Sequence, residues 1–284
     1  MWIVRYLTEK FFGVYVGDRG GISMRYHKGS LGLNQMKDKA ILHFVADSQY
    51  VTRSQLSSFV LLEYCEPSRR VFNWRIQRLV EAGLMRKQVV PYLNGEALYS
   101  ITRAGAQALE RLGIYYLGAN LVREKDALEF QIPHSLELNS IRIALKATFN
   151  LMRWTPEVAI RVLNLSPATA YAKVYDGIAE VYVDGDYVTF AIEYERTFKS
   201  KSKYDKIWEA IESEKRLNVF LYLVPSFDLV SGLVREFEGT RRLVFFGLVN
   251  EFKEKVFNAP VWSATWDSLT FKDVLLRALK LAKR

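Results

Sequence analysis

Residues 174–195 read VYDGIAEVYVDGDYVTFAIEYE, and this stretch decides the fold of the second half of the chain. Two runs rich in β-branched and aromatic residues flank Asp184 and Gly185. An Asp-Gly pair between two such runs is a strong signal for a β-hairpin. The stretch therefore predicts two antiparallel strands, over residues 174–183 and 186–195, joined by a two-residue loop.

The two faces of this hairpin differ in chemistry, because successive side chains of a strand point to opposite sides. One face is apolar and is expected to lie against the core: Gly177, Ala179, Val181, Val183, Val188, Phe190 and Ile192. The other face carries four carboxylates: Asp176, Glu180, Glu193 and Glu195. A two-residue loop places Asp176 directly opposite Glu193, and facing like charges are destabilising. This end of the hairpin therefore needs compensation from a divalent cation or from nearby lysine and arginine side chains.

The segments around the hairpin predict the rest of a mixed α/β domain. Apolar periodicity indicates a helix over residues 135–150 and another over residues 203–216. Residues 157–163 have the pattern of a strand, and residues 218–224 are almost wholly apolar, as in a strand buried on both faces. The resulting order, αβββαβ, resembles the restriction-endonuclease-like core.

The acidic face resembles, with one departure, the metal site of enzymes that share this core. In those enzymes an Asp on one strand and a Glu-x-Lys sequence on the next bind Mg²⁺ and activate water. Asp176 and Glu193 are the corresponding candidates for metal binding, because a hard cation prefers several oxygen ligands. Glu195 stands where the Lys is expected. The following segment offers three lysines in its place: Lys199, Lys201 and Lys203.

Three interpretations of this acidic face remain open. In the first, Asp176, Glu193 and Glu195 form an active site with a lysine from residues 199–203, and only this interpretation requires a cofactor, Mg²⁺. In the second, the domain is inactive and is retained as a fold. In the third, it is an ordinary exposed sheet face whose acids pair with the lysines.

The first half of the chain predicts three helices followed by a hairpin. The helices are expected over residues 37–46, from a capping box at 52–55 to about residue 62, and from Pro67 to a left-handed cap at Gly83. Strand-like residues 84–90 and 97–101 then flank a turn that contains Asn94-Gly95, and a helix over 104–112, capped by Thr102, follows. This order is that of a winged helix-turn-helix.

In a winged helix the third helix enters the major groove of DNA. Its polar face here carries Arg69, Arg70, Asn73 and Gln77. Arginine can pair with guanine, and asparagine or glutamine with adenine. Arg86 and Lys87 fall on the wing, where basic side chains contact phosphates. The alternative is a solvated helix face on a winged-helix module that binds protein.

Composition sets the broader frame. The 284 residues favour two domains, which we place at 36–115 and 134–284, with an unassigned arm at 1–35 and a linker at 116–133. Residues 1–120 carry 16 lysines and arginines against 9 acidic residues, an excess that points to a polyanionic partner.

The cysteine count and the hydrophobicity pattern bear on the compartment. Cys65, the single cysteine, excludes an intramolecular disulfide. The absence of a bilayer-spanning apolar run and of a secretory signal pattern makes the cytoplasm the expected compartment.

Six short stretches, taken in order, resemble the replication-relaxation family, which joins a winged helix to a degenerate endonuclease-like domain. They are RLVEAGLMR (78–86), LYSITRAG (98–105), PHSLELN (133–139), RWTPE (153–157), YDG (175–177) and IEYERT (192–197). Tyr175 stands where the family usually has Pro, and Glu195 where it often has Asp. The resemblance implies an accessory or regulatory role at the origin of a plasmid or other mobile genetic element.

Three functions follow as hypotheses. The leading one is a non-catalytic protein that binds double-stranded DNA, as a transcription regulator or as an accessory factor in replication or mobilisation. The second is a Mg²⁺-dependent DNA endonuclease, and the third is a protein-interaction module in a DNA-processing complex. A two-fold-symmetric DNA site would favour a homodimer. Replication or mobilisation proteins are the expected protein partners, and no membrane partner is expected.

His134 and two acids complete the candidates. His134 is either a metal-binding or catalytic group, or a residue at a helix start that bonds to nearby backbone. Glu137 and Glu157 are candidate additional acids near the site.

Overall fold

A computed structural model of the protein describes residues 32–34, 36–64, 68–114, 131–266 and 268–282. Residues 34–284 group into one compact unit of mixed α/β structure. Most of the predicted arm at 1–35, together with Cys65 and Pro67, lies outside the described residues. Within the described residues, no helix combines the length and the apolar character that crossing a bilayer requires.

The first part of the unit contains four α-helices and a small sheet in the described ranges. The elements are α1 (Lys37–Ser48), β1 (Val51–Thr52), α2 (Arg53–Tyr64), α3 (Arg69–Glu81), β2 (Met85–Val89), β3 (Ala97–Ile101) and α4 (Arg103–Arg111). The strands form an antiparallel sheet in the order β1-β3-β2. The predicted helices and hairpin are therefore present, and β1 is an additional strand that the sequence did not reveal.

Side-chain caps define the helix ends, as the sequence predicts. The Thr52 Oγ1 atom accepts a hydrogen bond from the Gln55 amide at 3.2 Å, and Gln55 Oε1 accepts one from the Thr52 amide at 3.3 Å, which completes the capping box. Gly83 follows α3 with a φ of +70°. The predicted start of α3 at Pro67 is wrong: the helix begins at Arg69, because Ser68 caps it by accepting from the Val71 amide.

The second part is built on a seven-stranded sheet with helices on both faces. Its elements are α5 (Gln131–Ala147), β4 (Leu151–Pro156), α6 (Glu157–Leu163), β5 (Gly177–Val183), β6 (Asp186–Tyr194), α7 (Lys201–Ser213), β7 (Val219–Val224), α8 (Phe227–Glu236), β8 (Leu243–Leu248), α9 (Val249–Lys255), β9 (Pro260–Trp262), β10 (Leu269–Thr270) and α10 (Phe271–Ala282). The strand order is β10-β9-β8-β7-β6-β5-β4.

The register of this sheet confirms the predicted hairpin. Val183 pairs with Asp186, and β6, β7 and β8 run parallel to one another while the other neighbours are antiparallel. One face packs on α5, α9 and α10 and includes the predicted apolar side chains from Ala179 to Ile192. The other face packs on α7 and α8, so β7 is buried on both sides, as its apolar sequence predicts.

Two sequence predictions in this part are wrong. Residues 157–163 form helix α6, and the strand lies before it. Their alternating apolar residues resemble a strand, but a pair between Glu157 and Arg161, spaced by one helical turn, favours the helix, with an Nε–Oε1 distance of 3.1 Å. The helix predicted over 135–150 ends at Ala147, and Phe149, inside the predicted range, is 56% exposed with a φ of +59°.

Helix α5 connects the two parts of the unit. Gln55 Nε2 donates to the Leu136 carbonyl oxygen at 2.7 Å, and Asn139 Nδ2 donates to the Tyr50 carbonyl oxygen at 2.7 Å. The start of α5, at Gln131, lies inside the range predicted as a linker. The same helix therefore packs on α2 and on the large sheet.

Candidate nucleic-acid interface and carboxylate cluster

Helix α3 has one buried and one exposed face. Phe72, Ile76 and Leu79 are buried against the first part of the unit. The four side chains predicted to read DNA are all exposed: Arg69, Arg70, Asn73 and Gln77. The apolar residues at helical spacing fix the helix rotation, and this rotation brings the four polar side chains to one surface.

Two of these polar side chains are held by neighbours. Arg53 Nη2 donates to Asn73 Oδ1 at 2.5 Å, and the Arg53 guanidinium lies 5.9 Å from the centre of the Phe72 ring. Gln77 Nε2 donates to Glu81 Oε1 at 2.7 Å. Arg53, at the start of α2, is thus part of the same surface. No sequence pattern indicates this role, because the contact joins two different helices.

The inner arginines of α3 have a different partner. Asp38 of α1 is fully buried, and its carboxylate binds Arg75 at 2.6 Å and also Arg78. A buried carboxylate that is paired on both oxygens fixes the position of α3 relative to α1. The orientation of the exposed face of α3 therefore depends on this buried pairing.

Arg86 and Lys87, which the sequence predicts on the wing, lie on strand β2 and are exposed. Strand β2 pairs with β3 along its whole length, with Lys87 opposite Tyr99. The hairpin follows α3 directly in the chain, and its strand β2 contacts α3. The basic side chains of the hairpin and those of α3 therefore belong to neighbouring elements.

The carboxylates of the large sheet gather at one end of β5 and β6. Asp176 directly precedes β5, Glu193 lies near the end of β6, and Glu195 follows it. The Tyr194 amide donates to Asp176 Oδ2 at 2.8 Å. Glu180 lies further along the sheet and pairs instead with Arg153 at 3.2 Å.

Each carboxylate of this cluster has its own basic partner. His134 Nε2 lies 3.2 Å from Asp176 Oδ2, and it also lies 3.2 Å from the Tyr194 carbonyl oxygen. Lys173 binds Glu193, and Lys199 binds Glu195. His134, in the first turn of α5, therefore contacts both a carboxylate of the cluster and the backbone of β6, and its metal-binding or catalytic role stays a prediction.

Of the three lysines predicted to serve the cluster, only Lys199 reaches it in the described structure. Lys201 binds Glu236 at 3.0 Å and points away, and Lys203 is exposed. Lys173, which the sequence did not indicate, holds Glu193 from the segment before β5. Glu137 pairs with Lys253, and Glu157 pairs with Arg161.

Burial shapes the acid–base properties of this cluster. Burial raises the pKa of Glu193 to about 7, although the Lys173 ammonium opposes the shift. Burial also acts to raise the pKa of Asp176, but the bonds from His134 and the Tyr194 amide outweigh it and hold that pKa below its usual value. For His134, burial acts to lower the pKa, and the Asp176 carboxylate outweighs it and raises the pKa.

A buried hydroxyl borders the same carboxylates. Tyr222 pairs with Glu193 in the β6–β7 register and is 1% exposed, and its hydroxyl has no hydrogen-bond partner among the described residues. Burial raises the pKa of Tyr222 well above its usual value, and the Glu193 charge adds to the shift. The hydroxyl therefore stays protonated at neutral pH.

The donor set of the cluster does not fit a Mg²⁺ ion as it stands. Mg²⁺ requires several oxygen ligands in near-octahedral geometry, whereas Asp176, Glu193 and Glu195 each bind a histidine or lysine side chain. Among the residues that the structure describes, no group of three or more His, Cys, Asp or Glu side chains is arranged to hold a metal ion. The exposed-sheet interpretation is wrong about exposure, because Glu193 and Glu195 are only 8% and 6% exposed, although Glu195 does pair with Lys199 as that interpretation expects.

Comparison with known proteins gives little guidance. No protein-family model matches the sequence, and no curated protein matches it. Among solved structures, the chain is similar to restriction endonuclease FokI bound to DNA, at 12% sequence identity and a TM-score of 0.25. The match covers 76% of this chain and 43% of that chain. At this identity and TM-score, the likeness assigns neither a family nor a function.

Proposed function

We propose that this chain is a non-catalytic protein that binds double-stranded DNA through α3 and the β2–β3 hairpin. The observation that carries the proposal is the exposed face of α3, where two arginines, an asparagine and a glutamine form one surface. The order α1, β1, α2, α3, β2, β3 is the order of a winged helix-turn-helix. In that motif the third helix lies in the major groove.

The side chains of this face suit base recognition. An arginine such as Arg70 can pair with guanine, and an asparagine such as Asn73 with adenine. Arg53 holds Asn73 by one bond to Oδ1, which can accept a second hydrogen bond. Gln77 would have to exchange its exposed bond to Glu81 for a base, at a cost of about 1 kcal/mol. Arg86 and Lys87 would contact phosphates.

The pairing of the carboxylates supports a binding role over a catalytic one. Asp176, Glu193 and Glu195 are paired with His134, Lys173 and Lys199, so each carboxylate already has a partner within the fold. In this proposal the large sheet is a restriction-endonuclease-like scaffold that has lost catalysis. By its resemblance to the replication-relaxation family, the protein would act at a plasmid or other mobile-element origin, as a regulator or an accessory factor.

A Mg²⁺-dependent endonuclease is the second candidate function. The observation that favours it is the gathering of Asp176 and Glu193 at one end of adjacent strands, next to the buried Tyr222 hydroxyl. It requires His134 and Lys173 to release both carboxylates to a metal. A protein-interaction module would use the face of α3 without DNA.

The proposal is tested by selecting a preferred duplex from a randomised pool and measuring its affinity by fluorescence anisotropy. The double substitution Arg70→Ala with Asn73→Ala should abolish the preference for the selected duplex. Arg241→Ala, which removes a charge from an exposed position before β8, is the control and should leave it unchanged. Equal binding by the double variant would contradict DNA reading by α3.

A further inference from the structure

Helix α3 also carries a large aromatic side chain on its surface. Trp74 is 54% exposed and takes no part in the buried face that Phe72, Ile76 and Leu79 provide. Tryptophan has a large apolar surface, so leaving the ring in water forgoes a substantial stabilisation. Helical spacing places Trp74 one turn from Arg70 and next to Asn73, on the surface that the proposed function assigns to DNA.

The ring is braced from the protein side. The Arg78 guanidinium lies 5.1 Å from the centre of the Trp74 ring, within the range of a cation–π interaction. Arg78 is itself bound by Asp38, which is fully buried in α1. A buried carboxylate therefore positions the cation, and the cation positions the indole. Such bracing holds the ring in one orientation while more than half of the residue stays accessible.

The surroundings of the ring indicate the chemistry of its partner. Its exposed neighbours on α3 include Arg70 and Asn73, so a partner must offer negative charge, hydrogen-bonding groups and a flat apolar face together. Nucleic acid offers all three, because phosphates meet the arginines and every base has a π-face on which an aromatic side chain can stack.

Geometry restricts which bases can stack on Trp74. A helix in the major groove faces the edges of paired bases, and their π-faces are covered by the neighbouring pairs. Only a base that has left the stack exposes its face. Unstacking costs least for a mismatched or unpaired base. Resting on the proposed DNA-binding function, we propose that Trp74 stacks on an unstacked nucleobase, so that α3 prefers DNA that contains an unpaired base over uniform duplex.

The test compares two labelled duplexes of the same sequence, one fully paired and one with a single central bulged base. Binding is measured by anisotropy for the unmodified protein, Trp74→Ala and Trp74→Phe. Tyr187→Ala, which removes another exposed aromatic ring at the β5–β6 turn, is the matched control. The unmodified protein and Tyr187→Ala should bind the bulged duplex roughly 10- to 100-fold more tightly.

The variants separate the outcomes. Trp74→Ala should bind both duplexes with the affinity of the paired one, and Trp74→Phe should keep part of the preference. If the unmodified protein binds both duplexes equally, or if Trp74→Ala keeps the preference, stacking by Trp74 is overturned while DNA binding stands. If the unmodified protein binds neither duplex, the proposed function itself fails. If Trp74→Ala does not fold, two other measurements distinguish the same outcomes. One is the affinity of Trp74→Phe for the two duplexes, and the other is the loss of tryptophan fluorescence when the unmodified protein binds the bulged duplex.

Discussion

The guanidinium of Arg142 in α5 lies 3.3 Å from the carboxylate of Asp47 in α1. The cation also lies 4.8 Å from the centre of the Phe44 ring and 5.8 Å from that of Trp154. Arg142 and Asp47 are 13% and 6% exposed in their side chains, so the pair is largely withdrawn from water. Because α5 also carries His134, this pair links the part that holds α3 to the carboxylate cluster.

Removing the Asp47 carboxylate should strongly destabilise the protein. Asp47→Ala leaves a buried cation without its partner, and such a change costs about 3–5 kcal/mol. The measurement is the free energy of unfolding in urea. Glu63→Ala, which breaks the more exposed pair with Lys146, is the control and should cost about 1 kcal/mol or less. Equal destabilisation of the two variants would show that the Arg142–Asp47 pair contributes no more to stability than the exposed Glu63–Lys146 pair.

Gly105 in α4 should not tolerate a side chain. A Cβ atom at this position would lie 2.1 Å from the Leu84 carbonyl oxygen, which is backbone and cannot move aside cheaply. Although alanine favours a helix over glycine, overpacking typically costs about 1–3 kcal/mol and here should exceed the helical gain. Thermal unfolding of Gly105→Ala should therefore occur at a lower temperature, with Gln107→Ala, at an exposed position of the same helix, as the control. An unchanged or higher Tm would refute the close packing of α4 on the start of the hairpin.

The hairpin should bind phosphates of the DNA backbone. Arg86→Ala with Lys87→Ala should weaken binding to all duplexes alike, and the slope of log K against log salt should become shallower by about 1 for each phosphate that is no longer neutralised. Titrations of one duplex at several salt concentrations measure the slope. Arg241→Ala should keep the original slope. An unaltered slope for the double variant would show that the hairpin does not contact the phosphates.

The carboxylate cluster should make stability depend on pH. The pKa of Glu193 is raised from 4.5 to about 7, so the folded state holds this proton more tightly than the unfolded chain. The resulting stabilisation is fully present below pH 4.5 and is lost as the pH rises to 7. His134, whose pKa is raised by Asp176, contributes with the same sign and loses its contribution as the pH rises through its folded pKa.

Urea unfolding at about pH 5 and about pH 8 tests this dependence. The unmodified protein should lose on the order of 2–3 kcal/mol more between these pH values than Glu193→Gln, whose amide does not titrate. Glu180→Gln, on the same sheet face but away from the cluster, is the matched control. The idea fails if Glu193→Gln loses as much stability as the unmodified protein.

Features governed by local bonds could be predicted from the sequence. The capping box of Thr52 and Gln55 and the register of the Asp184-Gly185 hairpin need only neighbouring residues, and both are present. The helix at 157–163 was missed because its alternating apolar residues fit a strand equally well. Arg53 and Lys173 were missed because their partners come from other segments.

The burial of Glu193 and Glu195 could not be predicted from the sequence either. Alternation along β6 places Glu193 and Glu195 on one face, but it does not say what covers that face. Helices α7 and α8 pack on this side of the sheet, and both acids are buried. Tertiary neighbours therefore turn an acidic face that looks exposed in the sequence into a largely buried cluster whose acids are paired with histidine and lysine side chains.

Incubation of the purified protein with supercoiled and linear plasmid tests the central claim most directly. The reactions contain Mg²⁺, Mn²⁺ or EDTA, and Asp176→Ala is run beside the unmodified protein. The account predicts shifted DNA bands and intact plasmid in all three conditions, for both proteins. Metal-dependent cleavage that is lost in Asp176→Ala would contradict it and make the protein a nuclease.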